Sequence, residues 1–343
     1  MSSTVDVIPT EAPQEGGARP AVSVRGLVKR YGDVDAVQGI DFDVDTGEIF
    51  GFLGPNGAGK STTINILCTL TKPTAGSATV AGHDVAAERD DVRRNIGLVF
   101  QDTTLDGYLT AEQNLRLHAE LYGVPRGVVG PRMREVLEMV ALWDRRDSLV
   151  NTFSGGMKRR LEIARGLLHS PRVLFLDEPT VGLDPQTRSS IWRYIRELKQ
   201  REEITIFLTT HYMDEAEYCD RIAIMDQGRI VVLDTPQALK ASVGHDRVRI
   251  TTEDDDAAIA VLRDRFGLDA RIAEGQVTFS VPEGEHFVPR LFAELGLPIL
   301  SVNVARPSLD DVFMSYTGTT IRDAEASAAD HNRRVAMVMR GRG

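Results

Sequence analysis

The sequence predicts an α/β protein with a parallel core sheet, joined to a smaller α+β unit in split βαβ order. Three observations carry this. A glycine-rich GPNGAGKST stands between the apolar segment IFGFLG and a helix beginning near residue 61. Four short, almost wholly apolar segments come later, VLFL (173–176), ITIFL (204–208), RIAIM (221–225) and RIVVL (229–233), as suits strands covered on both faces of a sheet. Beyond residue 244 the pattern becomes β-α-β-β-α-β, the ferredoxin-like order.

Taken in order, residues 1–20 are rich in Pro, Gly, Ser and Glu, too poor in apolar side chains to bury anything, and are expected to form a disordered leader. The larger α/β unit is then expected over 21–244. VSVRGLVKRY opens it, and IDFDVD alternates Ile40, Phe42 and Val44 with Asp41, Asp43 and Asp45, a strand with one wet face. Between 103 and 150 the period turns helical. Thr110 and Gln113 make a capping box for a helix that runs to Tyr122 and stops at Gly123. A second helix is expected to start with Pro131 at its first position, striping Met133, Val136, Leu137 and Val140 onto one face. The α+β unit is expected over 245–317: strand VRIT, helix 255–266, strands near 269–274 and 276–281, helix 285–295 and strand ILSVNV. Ser308 and Asp311 cap a last helix, expected to seal this small unit with Val312, Phe313 and Tyr316. Residues 318–343 lack periodicity and read as a flexible, solvated tail.

At 343 residues the length favours two domains over one. A formal net charge of -10 argues against a protein that lives on nucleic acid, whose phosphates demand a basic face. Cys68 and Cys219 are far apart, without metal-ligand spacing, and read as buried reduced thiols. There is no run of 18 apolar residues and no hydrophobic export segment at the start. The expectation is a soluble, cytoplasmic chain that reaches a membrane only through a partner.

The chemistry is concentrated in a few motifs. GPNGAGKST fits G-x-x-x-x-G-K-[ST] through Gly54, Gly59, Lys60 and Ser61, in the strand-to-helix context that the motif requires. Asn56, Gly57 and Thr62 complete the loop. Glycines let backbone N–H groups wrap phosphates, Lys60 reaches the β and γ phosphates, and Ser61 ligates Mg²⁺. VLFLDEPT supplies the matching half. Asp177 is expected to hold Mg²⁺ through water and Glu178 to polarise the attacking water, because adjacent residues at a strand end point to different sides. Gln101, after the strand IGLVF, is a candidate contact to Mg²⁺ and the hydrolytic water. His211, after ITIFL and its two threonines, is placed to touch a γ phosphate. Tyr31 offers a ring for stacking adenine.

A second anion site is suggested by FSGGMKRRLEIA (153–164). A serine and two glycines lead into a helix whose first turn carries Lys158, Arg159 and Arg160, although cations sit badly at the positive end of a helix dipole. The placement is expected to be relieved by a docked anion.

The order of these residues resembles the ATP-binding cassette (ABC) family: Walker A at 54–61, Gln101, Ser154-Gly155-Gly156, Asp177-Glu178, GLD at 182–184 and His211, with Ser154 standing 23 residues before Asp177. The likeness covers about 21–240, and the C-terminal unit with RPSLDDVF is similar to the extension of daunorubicin-resistance-type exporter ATPases. The resemblance implies head-to-tail pairing with a second copy around two ATP, so that Ser154, Gly155 and Gly156 contact the γ phosphate bound by the partner. It also implies roles for Gln101 in the Q-loop, Asp184 in the D-loop, His211 as switch histidine, Glu178 as general base and Tyr31 as the adenine platform. A separately encoded transmembrane permease and a place on the inner face of the cell membrane follow from it. One departure is Phe153 and Met157 where Leu and Gln are commonest, and Met157 cannot donate a side-chain hydrogen bond. The family also contains importers and soluble ATPases acting on ribosomes or DNA. The absence of a second cassette and the net acidity argue against the soluble class, and the mixed α/β order after 244 argues against an importer's β-barrel extension.

Overall fold

The computed structural model describes residues 20–318 apart from 203 and 274; the expected leader, up to residue 19, and the tail from 319 onward lie outside the described residues. The first half of the chain gives β1 (Val22–Tyr31), β2 (Val34–Val44), β3 (Ile49–Leu53), α1 (Lys60–Leu67), β4 (Ala75–Val80), β5 (His83–Asp84), α2 (Arg89–Asn95), β6 (Ile96–Val99), α3 (Ala111–Leu121) and α4 (Arg126–Met139). It continues as α5 (Gly155–Leu167), β7 (Val173–Asp177), α6 (Pro185–Glu202), β8 (Thr205–Thr210), α7 (Met213–Ala216), β9 (Arg221–Asp226), β10 (Arg229–Asp234) and α8 (Pro236–Ser242). The last stretch holds β11 (Asp246–Thr252), α9 (Asp255–Phe266), β12 (Arg271–Ala273), β13 (Gln276–Val281), α10 (Gly284–Glu294), β14 (Ile299–Ala305) and α11 (Leu309–Thr317).

The central sheet has the order β10-β9-β3-β8-β7-β6, and β9, β3, β8, β7 and β6 run parallel. Every residue of β3, β7 and β8 is buried, which explains their unbroken apolar runs, yet the pleat still sorts them. Ile49, Leu53, Leu174, Leu176, Ile206 and Leu208 join the core under the helices. Phe50, Phe52, Phe175 and Phe207 join the opposite core, where Phe42 of β2 packs against Phe50, Phe52 and Phe207 at ring-centroid separations of 5.1 to 6.0 Å. A second sheet, β2-β1-β4-β5, is antiparallel and covers that face with the alternating strand read from IDFDVD. Strand β10 departs from the expectation of a strand covered on both faces. It runs antiparallel to β9 at the sheet edge with Ile230 to Leu233 only half-buried, because Gln227 and Gly228, at φ +45° and +79°, make a two-residue turn too short for a parallel crossover.

The capping box of Thr110 and Gln113 is present, and Gly123 takes φ +66° past the end of α3. Helix α4 is longer than expected. Pro125 is its N-cap, so Pro131 lies inside the helix instead of at its first position. Two glycines and an exposed Val128 in the opening turn conceal the period there. Met133, Val136, Leu137 and Val140 are buried as a stripe.

The third sheet, β12-β13-β11-β14, is antiparallel throughout, with α9 and α10 packed on an apolar face formed by Val248, Ile250, Val277 and Phe279. Helix α11 does not seal this unit. Its Leu309, Val312 and Phe313 are buried in the core beneath the parallel sheet, together with Leu239 of α8, and Tyr316 stays exposed with its hydroxyl 3.4 Å from Ser242 Oγ.

Candidate active site

The phosphate loop leaves β3 in the middle of the parallel sheet, at the strand ends where ligands bind in open α/β folds. Its glycines are set by close approach. A Cβ on Gly54 would lie 2.3 Å from the Met225 carbonyl oxygen, and one on Gly59, at φ +104°, 2.5 Å from that of Ala36. The loop therefore closes against β9 and β2, leaving Asn56 and Gly57 exposed. The first N–H groups of α1 then face the loop's mouth. Ser61 and Thr62 are half-buried beside it. Lys60 is buried and donates to the carbonyls of Gly54 at 2.7 Å and Pro55 at 3.1 Å.

Register brings the neighbouring strand ends to the same place, since Leu53 pairs with Thr210 and Asp177 with Thr209. The Ser61 hydroxyl donates to Asp177 Oδ1 at 3.1 Å and Thr209 donates to the same oxygen at 2.5 Å. Burial pushes the Asp177 carboxyl up, against the pull of those two hydroxyls. Hydroxyl and carboxylate oxygens converging on one point are the donor chemistry of a hard divalent cation, and a cation there would relieve the buried carboxylate.

Glu178 turns the chain sharply. Its φ is +46°, a left-handed conformation that costs a side-chain-bearing residue about 1–3 kcal/mol. The turn aims its carboxylate away from Asp177. Oε1 lies 3.5 Å from Lys60 Nζ and Oε2 lies 3.4 Å from His211 Nδ1, while its N–H donates to Thr209 Oγ1 at 3.0 Å. Burial pushes the Glu178 carboxyl up, but His211 and the Lys60 ammonium outweigh it and hold the group below the usual glutamate range. A carboxylate kept ionised in this way can accept a hydrogen bond from water.

Gln101 stands exposed just beyond β6. Pairing of Val99 with Leu176 points its segment toward Asp177 and Glu178. Tyr31 ends β1, half-exposed, with Lys29 Nζ 4.7 Å from its ring centroid; the same hairpin carries Ala36, which touches the phosphate loop.

Ser154, Gly155 and Gly156 are brought to the Asp184 segment. Ser154 caps α5 by accepting from Met157 N, and it and Gly155 are exposed. A Cβ on Gly155 would touch Leu183 at 3.4 Å, and one on Gly156 would overlap Thr187 Cγ2 at 2.3 Å. Asp184 accepts from the N–H of Thr187 at 3.0 Å and from its hydroxyl at 2.6 Å, and is itself exposed.

The expectation that an anion relieves the cations of this helix needs correction. Arg159 is buried, its Nε donating to the Pro179 carbonyl at 2.6 Å and a terminal nitrogen to those of Asp177 and Glu178 at 3.1 and 3.2 Å. Arg160 donates to the Val140 carbonyl at 2.9 Å. These guanidinium groups are bonded to carbonyl oxygens of their own chain, so neither waits for an anion. Thr209 is the residue that the sequence reading missed, its signal being the pair of threonines before His211, whereas Arg159 was noticed but given the wrong partners.

Known proteins resemble this chain over most of its length. Residues 37–181 match the ABC transporter family, and 235–317 match the C-terminal domain of ATP-binding proteins like DrrA1-3. The chain is 39% identical over 324 residues to the daunorubicin/doxorubicin resistance ATP-binding protein DrrA of Streptomyces peucetius, covering 92% of this chain and 98% of that protein. It is 39% identical over 308 residues to the Nod factor export ATP-binding protein I of Burkholderia lata, covering 88% of this chain and 98% of that one. Among solved structures, the dimeric post-hydrolysis state of an ATP-binding cassette bound to ADP and Pi matches with a TM-score of 0.56 and 28% identity, over 62% of this chain and 98% of that chain.

Proposed function

The chain belongs to the ATP-binding subunits of the ABC transporter family, and on that premise we propose that this ATPase closes head to tail on a second copy around two ATP and drives export through a separate permease. The observation that carries the chemistry is the meeting of Lys60, Ser61, Asp177, Glu178 and His211 at the ends of three adjacent strands. In this reading Gly54, Asn56, Gly57, Gly59 and Thr62 wrap the phosphates with the loop's N–H groups, Lys60 turns from its own carbonyls to the β and γ phosphates, and Tyr31 stacks adenine. Ser61 and Asp177, with Gln101, hold Mg²⁺, which when bound neutralises charge on the phosphates. Glu178 orients and polarises water, and His211 keeps its carboxylate directed. Ser154, Gly155 and Gly156, with Asp184 beside them, serve the partner's nucleotide, which the exposure of Ser154, Gly155 and Asp184 permits.

Export is supported by the names of the relatives, one a resistance protein and one an export protein; a drug, antibiotic or lipid is the class of cargo that we propose. No helix among the described residues is long and apolar enough to cross a membrane; in this reading a separate permease carries the cargo and this chain sits on the inner face of the cell membrane beside it. In this reading 21–244 is the ATP-binding unit and 245–317 the accessory segment, whose last helix returns to the core of the first unit. Replacing Glu178 by Gln is expected to slow ATP turnover by about 10² to 10⁴ while ATP-dependent dimers persist in size-exclusion chromatography. Unchanged turnover would remove Glu178 from its role.

A further inference from the structure

One face of α5 carries Arg159, Glu162 and Arg165, which the chemistry above does not use. Arg159 is 6% exposed, and its fork of N–H donors is fully engaged. Besides the carbonyls of Asp177, Glu178 and Pro179, it reaches the carbonyl of Phe100 and, at 3.2 Å, Glu162 Oε2. Glu162, 1% exposed, accepts from Thr104 N at 2.8 Å with its other oxygen. Arg165 donates to the Thr104 carbonyl at 2.9 Å and to its hydroxyl at 2.5 Å. Residues 100 and 104 flank Gln101. Residues 177 to 179 bracket the left-handed turn at Glu178, a conformation that persists only where its surroundings over-determine it. One helix therefore grips both the segment of Gln101 and the turn of Glu178.

We propose that Arg159 is a positioning residue for Glu178 and the Gln101 segment, and that it acts within its own chain while the first turn of the same helix serves the partner's nucleotide. The proposal rests on the reading of Glu178 as base and of the dimer as head to tail. Its consequence is a mechanical link between the two sites. The cap of α5 touches one triphosphate, and little more than a turn further along the same rigid helix sets the geometry at the other. Lysine cannot substitute, because a point charge on a flexible stem does not present a planar fork to several carbonyls at once.

The test uses full-length mixed dimers in which one copy carries Glu178→Gln, so that a single intact Glu178 works. Arg159→Gln is added either to the copy with the intact Glu178 or to its partner. Placed in the same copy, it is expected to lower kcat by about 10²-fold, the scale of an ångström's misplacement, with KM for ATP held within about twofold. Placed in the partner copy, it is expected to cost at least about tenfold less. Equal losses in the two arrangements, no loss in either, or a KM that climbs as kcat falls would overturn the proposal. Dimers with Glu178→Gln in both copies examine the underlying reading separately, since full turnover there removes the base whatever Arg159 does. Should Arg159→Gln fail to accumulate as folded protein, Arg159→Lys carries the same comparison. If neither variant folds, Arg159 is a folding residue and the positioning role is refuted.

Discussion

Replacing Thr209 by Val isolates the hydroxyl that ties the two carboxylate residues together. Its oxygen donates to Asp177 Oδ1 at 2.5 Å and accepts the Glu178 N–H at 3.0 Å, with no part of the residue exposed. Valine keeps the shape, so no cavity opens. The bond to an ionised carboxylate is worth about 2 kcal/mol, and a buried N–H left without an acceptor costs about 2 kcal/mol more, giving a loss near 4 kcal/mol. For a chain of this size that lowers Tm by about 6 °C. The pH dependence has a definite sign. Asp177 already has a carboxyl raised by burial, and removing a donor to its ionised form raises it further. A raised native carboxyl withdraws stability as pH rises through its native pKa, so the deficit of the variant is largest at neutral pH and shrinks on acidification. Urea unfolding of wild type, Thr209→Val and Thr209→Ser from about pH 7 down to about pH 4 reads this directly. The serine variant keeps the hydroxyl and is expected to lose about 1 kcal/mol for its missing methyl. A valine deficit below about 0.5 kcal/mol, or one that does not change with pH, would refute the reasoning.

Two further expectations concern neighbouring residues. Gly156→Ala places a methyl 2.3 Å from Thr187 Cγ2 and is expected to cost about 1–3 kcal/mol; Thr187→Ser removes that methyl while keeping the hydroxyl donated to Asp184, so the double variant in a urea-melt cycle should recover most of the loss. His211→Ala takes away the strongest influence holding the Glu178 carboxyl down, so the acid limb of the kcat profile should move to higher pH; a limb that stays put would detach His211 from Glu178.

How much of this was legible depended on where the partners lie. The phosphate loop, the paired carboxylates and the capping box at Thr110 and Gln113 were readable because side-chain identity and spacing are themselves the signal. Strand β10 was misjudged because apolar content does not report sheet order, which a two-residue turn decided. Pro131 was given to the wrong position because Gly127, Gly130 and Val128 blur the period in front of it. Arg159 was read for an anion because its true partners are backbone carbonyls of residues 100 and 177–179, and a carbonyl leaves no trace in residue type. The amphipathic stripe of α11 announced a buried face but not which core receives it. Cys68 and Cys219 are buried as expected, and burial pushes both thiols up.

The return of α11 to the core beside α8 makes the four-stranded antiparallel lobe an excursion with both feet planted. It departs after Ser242 and comes home at Leu309, and the two helices at its feet share one apolar bed. A lobe hung on a single tether could swing or be clipped off, but this one can at most rock about the line joining its feet. Any shear on it reaches Leu239 and Phe313, and through them the floor under the parallel strands, so grafting the lobe onto another cassette would mean transplanting both anchors.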